Sequence, residues 1–350
     1  MIDPTSDIDS ITSVRALDIK EALDVGVDLT RLVGKSVPCR WNDTVITWDV
    51  ADYDETNKSV TLLLHDTLPT KLPFDSDQAL AYCDNGTPAG NYRFDNNGTS
   101  YYFTLNEAIP SGGQLKADTH DFYTYASQDS TEVLETGHVS TTANQNPMFL
   151  GTCGGGIGQG ALNSMDRVMY HASNNFGESG LFQWLNSSAP ANTIMPMITK
   201  FSRPYSVNAP GFLGALDPSF SMCLDNATWK CSANTIYECP VSRGGVGSQN
   251  NKYTVTAKIA LASEKEIFGS YGGIDAGDKV LDLFRNATSA DRIKRHGTSA
   301  RTWWLRSPAS SPASPSAFME RMVSSAGGAN NANANVTYGI VPICKISKSS

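Results

Sequence analysis

The sequence predicts an α+β domain that is interrupted by a small β-rich module, and three observations favour this architecture. Runs with alternating apolar residues, such as "VITWDVADYDETNKSVTLLL" at 45–64, predict strands. Segments with apolar residues three or four positions apart, such as "ESGLFQWLNSS" at 178–188, predict short helices. Between them lies a stretch rich in Asn, Gly, Asp and Tyr, which is typical of hairpins joined by tight turns.

Length, composition and charge exclude several classes of protein. The chain has 350 residues, 40% of them hydrophobic, which is ordinary for a protein with a sizeable core. A net charge of -8 with 27 Lys and Arg residues argues against nucleic acid as a partner. No apolar run approaches the roughly 20 residues that span a bilayer. The N-terminal "MIDPTSDIDSITS" has no signal-peptide pattern, so we expect a protein made in a cytoplasm, without membrane insertion.

Neither a metal nor a cofactor is expected. The seven cysteines are an odd number in a large chain, which predicts reduced thiols rather than a disulfide framework. Cys223, Cys231 and Cys239 recur at equal spacing, but no C-x2-C pair or neighbouring His accompanies them. The Gly-rich "GGGIGQGA" at 154–161 has the spacing of a dinucleotide loop but lacks the surrounding strand and helix pattern.

No catalytic constellation stands out along the chain, so we expect a protein that is not an enzyme. G-x-S-x-G and H-E-x-x-H patterns are absent from the sequence. The histidines are isolated from one another and predict surface or hydrogen-bonded structural residues: His65, His120, His138, His171 and His296.

The chain divides into four predicted parts. An N-terminal attachment segment at 1–30 ends in a short helix that starts at Asp18, and 31–68 form an opening β-hairpin. The inserted β-rich module covers 69–145 and contains a hairpin around "DNNG" at 95–98. Residues 146–350 form the main domain.

Within the main domain the patterns predict further helices. Apolar spacing favours a helix in "SMDRVMYHASNN" at 164–175, one in "ESGLFQWLNSS", and one from Asp278 to Ala287. Ser263 and Glu266 have the spacing of a capping box, which predicts a helix start.

The stretch "TWWLRSP" at 302–308 predicts a structural anchor on a strand. Trp303 and Trp304 are adjacent and point to opposite faces, so one fills the core while the other covers the opposite face. Arg306 lies on the face of Trp304, and a buried guanidinium there needs carbonyl or carboxylate acceptors.

The segment that follows is built from small residues. Seven Ala, six Ser, four Asn and two Gly occur among residues 309–335, a composition that suits a disordered loop. Apolar residues from Phe318 to Val323 instead favour a hairpin strand with a Gly turn behind it. Small polar side chains on a rigid scaffold form an adaptable recognition surface.

Four stretches in order carry a resemblance to a known family: "SNNFGESGLFQWLNSS" at 173–188, "AKIALASEKEIFG" at 257–269, "WWLRSP" at 303–308 and "NNANANVTYGIVPICKI" at 330–346. This order resembles that of the variable proteins of diversity-generating retroelements in phages and gut bacteria. The resemblance implies a C-type lectin-like fold, related to the formylglycine-generating enzyme fold, with an inserted small β module.

The resemblance also implies a variable region at about 303–346. In such families an error-prone reverse transcriptase changes adenines, and Asn codons are favoured targets. Carried over by position, the candidate ligand-binding residues are Asn330, Asn331, Asn333, Asn335, Ser310, Ser311, Ser314 and Ser316.

The function implied is receptor binding and host attachment by a protein displayed on the virion surface of a phage or prophage. Its partners would be a host cell-surface protein or glycan and other virion proteins, with a homotrimer as one assembly. Two alternatives stay open: an enzyme of the formylglycine-generating type that uses Cys344, and a structural virion decoration protein.

Overall fold

The computed structural model describes most of the chain. The described ranges are residues 11–76, 79–83, 86–96, 99–117, 120–127, 132–143, 145–149, 157–159, 167–169, 175–195, 205–233, 251–269, 279–311 and 314–349. Side chains in the strand segments 79–82, 94–96, 148–149, 157–159, 167–169, 251–252, 310–311 and 314–318, together with that of residue 233, lie outside the described part.

Strands are the main regular elements of the described residues. The helices are short: α1 Ala16–Asp24, α2 Gly180–Leu185, α3 Pro218–Ser221 and α4 Glu264–Phe268. The strands are β1 Ser36–Trp41, β2 Thr44–Asp54, β3 Ser59–Leu64, β4 Lys71–Pro73, β5 Ala79–Cys83, β6 Gly90–Asn96, β7 Thr99–Leu105, β8 Gly113–Ala117, β9 Asp121–Tyr125, β10 Val133–His138, β11 Met148–Phe149, β12 Ile157–Gln159, β13 Arg167–Met169, β14 Ala227–Ala233, β15 Asn251–Ala257, β16 Ile259–Leu261, β17 Lys294–His296, β18 Ser299–Arg301, β19 Trp303–Ser311, β20 Ser314–Val323, β21 Ala329–Asn333, β22 Thr337–Gly339 and β23 Pro342–Ser347.

Two five-stranded sheets enclose the larger core. One has the order β1-β2-β3-β23-β16, so the last strand of the chain pairs with the early hairpin. The other has the order β21-β20-β19-β22-β4. Every residue of β3 is buried, as expected for a central strand covered on both faces. The core is rich in aromatic side chains, including Trp48, Trp184, Trp229, Trp303 and Trp304.

A second, smaller core lies in the middle of the chain. Strands β5–β13 form a six-stranded sheet of order β10-β9-β8-β5-β13-β12 and a three-stranded sheet of order β11-β6-β7. Their buried residues form a separate hydrophobic cluster in which Phe103 packs between Tyr92 and Phe122. The larger sheet includes β13, so its strands continue past residue 145, the predicted end of the β module.

The expectation of an α+β, C-type lectin-like fold is wrong. The described residues contain many short strands in several small sheets, and their four α-helices have only four to nine residues. The reason is local: apolar residues three or four apart also suit short strands and 3-10 turns, which bury side chains without a long helix. The expected relation to the formylglycine-generating enzyme fold is wrong for the same reason.

Three of the predicted helices differ from the structure. The predicted helix at 164–175 contains strand β13, and its remaining residues up to 174 lie outside the described part. The predicted helix from Asp278 contains only a 3-10 turn at Asp282–Phe284. Helix α1 begins at Ala16 rather than after an Asp18 cap, because Asp18 lies within its first turn and accepts hydrogen bonds from Arg15.

Other local predictions are confirmed. The helix predicted in "ESGLFQWLNSS" is α2, and Ser263 and Glu266 form the predicted capping box of α4. The two predicted hairpins are present, with β2 pairing β3 and β6 pairing β7. "TWWLRSP" lies in strand β19 apart from Thr302, and Phe318 to Val323 form the end of strand β20.

Candidate functional site

The two tryptophans of β19 are the centre of the sheet that carries the predicted variable segment. Trp303 and Trp304 are both fully buried. The indole of Trp304 donates a hydrogen bond to the Leu72 carbonyl at 3.0 Å and makes edge contacts with Phe74 and Tyr338. Trp303 donates to the Arg292 carbonyl at 3.2 Å. A buried indole whose N–H has an acceptor stabilises a strand by both packing and hydrogen bonding.

Arg306 fixes β19 to the adjacent helix. Its guanidinium is buried and forms a bidentate ion pair with Glu266 of α4, at 2.6 and 2.9 Å. It also donates to the carbonyls of Leu261 and Lys230 at 2.6 and 2.9 Å. Burial would raise the pKa of Glu266, but the Arg306 charge outweighs it and holds that pKa below its usual range. The carboxylate is therefore ionised and fully engaged.

The hairpin β20–β21 lies on the outer side of this anchor. β21 is an edge strand of the sheet, and its register pairs Asn331 with Arg321 and Asn330 with Met322. Met322 and Val323 are buried, whereas Asn330 and Asn331 are exposed. Because paired residues share a face, the two asparagines lie on opposite faces of the edge strand. Amide side chains on both faces are thus open at this edge.

The other predicted contact residues are either half-buried or have side chains outside the described part of the chain. Asn333 is half-buried at the end of β21, and Asn335 is half-buried with its amide oxygen enclosed. Ser310 and Ser311 lie in β19 and Ser314 and Ser316 in β20, where Ser311 pairs with Ser314. Their side chains lie outside the described part of the chain.

The turn that joins β20 to β21 is docked on the rest of the protein. Gly327 has a φ of 80°, and a Cβ there would collide with the main-chain oxygen of Ser289. Ser324 closes the turn, donating its N–H to the Gly328 carbonyl and accepting from the Gly327 N–H, both at 2.8 Å. Only glycine combines this backbone conformation with so close an approach.

A polar cleft that the sequence analysis did not find lies at the other sheet. His65, just after β3, places Nδ1 2.8 Å from Asp49, and the buried Lys294 lies 3.4 Å from the second oxygen of Asp49. The Asp49 hydrogen bond raises the pKa of His65, whereas burial lowers that of Lys294. The three residues are far apart in the sequence, so spacing carried no signal for this cluster.

Two cavities meet at His65 and Asp66. The smaller, of about 230 Å³, is lined by Val45, Leu64, Thr67, Pro69 and His296 among others. The larger, of about 610 Å³, is lined by Asp49, Asp282, Asp291, Lys294 and Arg295 among others. The only sequence sign of this site is the polar pair His65–Asp66 directly after a fully buried strand.

The described residues offer little to a metal ion. Among them, no three His, Cys, Asp or Glu side chains are grouped as ligands, and the five described cysteines are buried thiols. Burial raises the pKa of the Cys344 thiol well above its usual range. None of the described helices is long and apolar enough to cross a membrane.

Comparison with known proteins identifies a family for the C-terminal part. Residues 160–348, more than half of the chain, match the family described as "Domain of unknown function (DUF6273)". No curated protein and no solved structure matches the chain. The matched region includes the anchor residues of β19, helix α4, the hairpin β20–β21 and Lys294 with His296 of the cleft.

Proposed function

The chain belongs to the DUF6273 family, and we propose that it is a ligand-binding protein whose recognition surface is the outer edge of hairpin β20–β21. The observation that carries the proposal is a contrast within one sheet. Asn330 and Asn331 are exposed on the edge strand, while Trp303, Trp304 and Arg306 two strands away are buried and fully hydrogen-bonded.

This contrast separates recognition from folding. The side chains of Asn330 and Asn331 are exposed, so they can be exchanged without loss of core packing. The strands beneath them are held by the Arg306–Glu266 pair and by Arg321, whose Nε lies 3.1 Å from Glu264. Amides present both donors and acceptors, which suits hydrogen bonding to varied polar partners.

The proposal also covers how the sequence of this edge is diversified and on which particle the protein is displayed. Asn330 and Asn331 are exposed, and Asn codons are favoured targets of adenine-directed mutagenesis. We therefore propose that retroelement diversification alters this edge. Display on a phage particle, with a host cell-surface protein or glycan as ligand, follows from the same resemblance. A structural decoration protein would share the scaffold but not depend on the asparagines.

The formylglycine-generating alternative is less favoured by the position of Cys344. Its thiol is fully buried within the central sheet, where β23 pairs with β3 and β16. A thiol acts as a nucleophile through its accessible thiolate, and burial with a raised pKa disfavours that form. The binding proposal therefore stands ahead of an enzymatic one.

The test compares two double variants of the purified chain on a panel of bacterial cells and immobilised glycans. Asn330→Lys with Asn331→Lys changes the proposed surface, and Thr56→Lys with Asn57→Lys adds the same charge at the exposed turn between β2 and β3. The proposal expects the first to weaken binding about tenfold or more, equal to about 1.4 kcal/mol. Equal binding by both variants would contradict it.

A further inference from the structure

The smaller of the two cavities combines an apolar wall with two imidazoles. Val45, Leu64 and Pro69 provide the wall, and His65 and His296 come from separate elements to line the same space. The Val45 side chain is 62% exposed and can be reached from solvent. A space of about 230 Å³ admits a compact molecule rather than a polymer segment.

Asp49 fixes which nitrogen of His65 is available to a ligand. Asp49 Oδ1 accepts from Nδ1, so Nδ1 carries the proton and Nε2 is the nitrogen left for a partner. The neutral ring then offers Nε2 as an acceptor, and the protonated ring offers it as a donor. The side chain of His65 is 58% exposed, so a ligand can reach it.

Protonation of His65 adds one positive charge to a cluster in which Lys294 faces Asp49, and Asp66 is the carboxylate in the lining of the smaller cavity. Lys294 lies 3.4 Å from Asp49, so the two charges offset each other. Asp66 accepts from the Arg295 main-chain N–H at 2.8 Å, and the Arg295 guanidinium donates to the Thr298 carbonyl. His296 adds a further imidazole. The remaining carboxylates of the cleft, Asp282 and Asp291, line only the larger cavity.

We propose that the smaller cavity is a binding site for a small free carboxylic acid, with its carboxylate between His65 and His296 and its apolar body on Val45, Leu64 and Pro69. Thr67 also lines the cavity and is fixed by its hydrogen bond to the Arg295 carbonyl at 3.1 Å. Charge-assisted hydrogen bonds from an imidazolium to a carboxylate are about twice as strong as neutral ones. Binding should therefore strengthen as the pH falls, because the charged ring is the donor.

Calorimetry with benzoate tests this site, with benzamide as the neutral molecule of the same shape. Measurements at about pH 5.5 and about pH 8 bracket the ordinary imidazole pKa of about 6.5. We expect benzoate to bind roughly tenfold or more tightly at the lower pH, and benzamide to show no such change. No saturable binding of benzoate at the lower pH, or equal pH dependence for benzamide, would overturn the proposal.

His65→Gln and His138→Gln are a matched pair of variants. His138 also lies near a carboxylate, 3.7 Å from Asp121, but it belongs to β10 and lines neither cavity. His65→Gln should lower benzoate affinity about tenfold at the lower pH and remove its pH dependence, whereas His138→Gln should change neither. Unchanged pH-dependent binding in His65→Gln overturns the proposal.

Nuclear magnetic resonance of the wild-type imidazoles avoids any loss of folding in a variant. Benzoate should shift the resonances of His65 and His296 and leave those of His120 and His138 in place. Shifts at His120 or His138 alone would contradict the site. The Asn330→Lys, Asn331→Lys protein should bind benzoate normally, so failure of this proposal is distinct from failure of the recognition surface.

Discussion

Arg306 and Glu266 join strand β19 to helix α4 through two parallel hydrogen bonds that are both buried. Arg306 also donates hydrogen bonds to two main-chain carbonyls, and Glu266 accepts one from the N–H of Ser263 in the capping box. One ion pair therefore sets the position of a helix start and of the strand beneath the proposed recognition edge. A bidentate geometry of this kind specifies orientation as well as contact.

Breaking this pair should destabilise the fold strongly. Glu266→Gln removes the carboxylate charge that is paired with the buried Arg306, and we expect the free energy of unfolding to fall by about 3–5 kcal/mol. Arg15→Gln breaks an ion pair with Asp18 whose arginine is 71% exposed, so solvent screens it and the loss should be far smaller. Urea denaturation of both variants measures the difference, and similar losses would refute the anchoring role.

Gly327→Ala should be more harmful than a glycine replacement of similar backbone strain. Both Gly327 and Gly26 have φ near 80°, but open space surrounds a Cβ at Gly26 whereas Ser289 blocks one at Gly327. Gly26→Ala should cost about 1–2 kcal/mol from φ alone. Gly327→Ala should cost about 1–3 kcal/mol more because the turn must move. Thermal unfolding compares them, and equal costs would show that the turn is not docked.

Asn330 in strand β21 and Ala334 directly after that strand should differ in how well they tolerate substitution. Asn330 is exposed, so Asn330→Lys should change stability by less than about 0.5 kcal/mol. Ala334 is fully buried and its carbonyl accepts from Phe74 and Asp75, so Ala334→Asn should destabilise by about 1–3 kcal/mol. The denaturation midpoints of the two variants measure this difference. A large loss of stability in Asn330→Lys would mean that the edge is part of the core.

His65 should make stability depend on pH near neutrality. Its pKa is raised in the folded protein by Asp49, so its stabilisation is complete below the unfolded pKa of about 6.5 and is lost as the pH rises through the folded value. The side chain is more than half exposed, so we expect the effect to stay below about 1 kcal/mol. His65→Gln should remove this dependence. If the stability of the wild type instead rose as the pH increased through this interval, the prediction would be contradicted.

The sequence carried enough information for local elements whose cause is local. The capping box at Ser263 and Glu266, the short helix in "ESGLFQWLNSS" and the strand through Trp303 depend on neighbouring residues and were predicted correctly. The α+β class was wrong because short apolar patterns do not distinguish a helix from a brief strand or a 3-10 turn.

The cleft could not be predicted because it is a product of long-range pairing. Asp49, His65 and Lys294 are brought together by β2, β3 and β17, and the longest separation along the chain is 245 residues. A single sequence contains no periodic signal for such contacts. The exposed asparagines, by contrast, were named from composition and resemblance, and their role in binding stays a prediction.

Deep sequencing of this gene from a population of its source tests the central proposal most directly. The account predicts that substitutions concentrate at the codons of Asn330, Asn331 and Asn333, at adenine-derived positions, while Trp303 and Arg306 stay constant. An even scatter of changes along the chain, with the asparagines no more variable than the exposed turn at Glu55–Asn57, would contradict it.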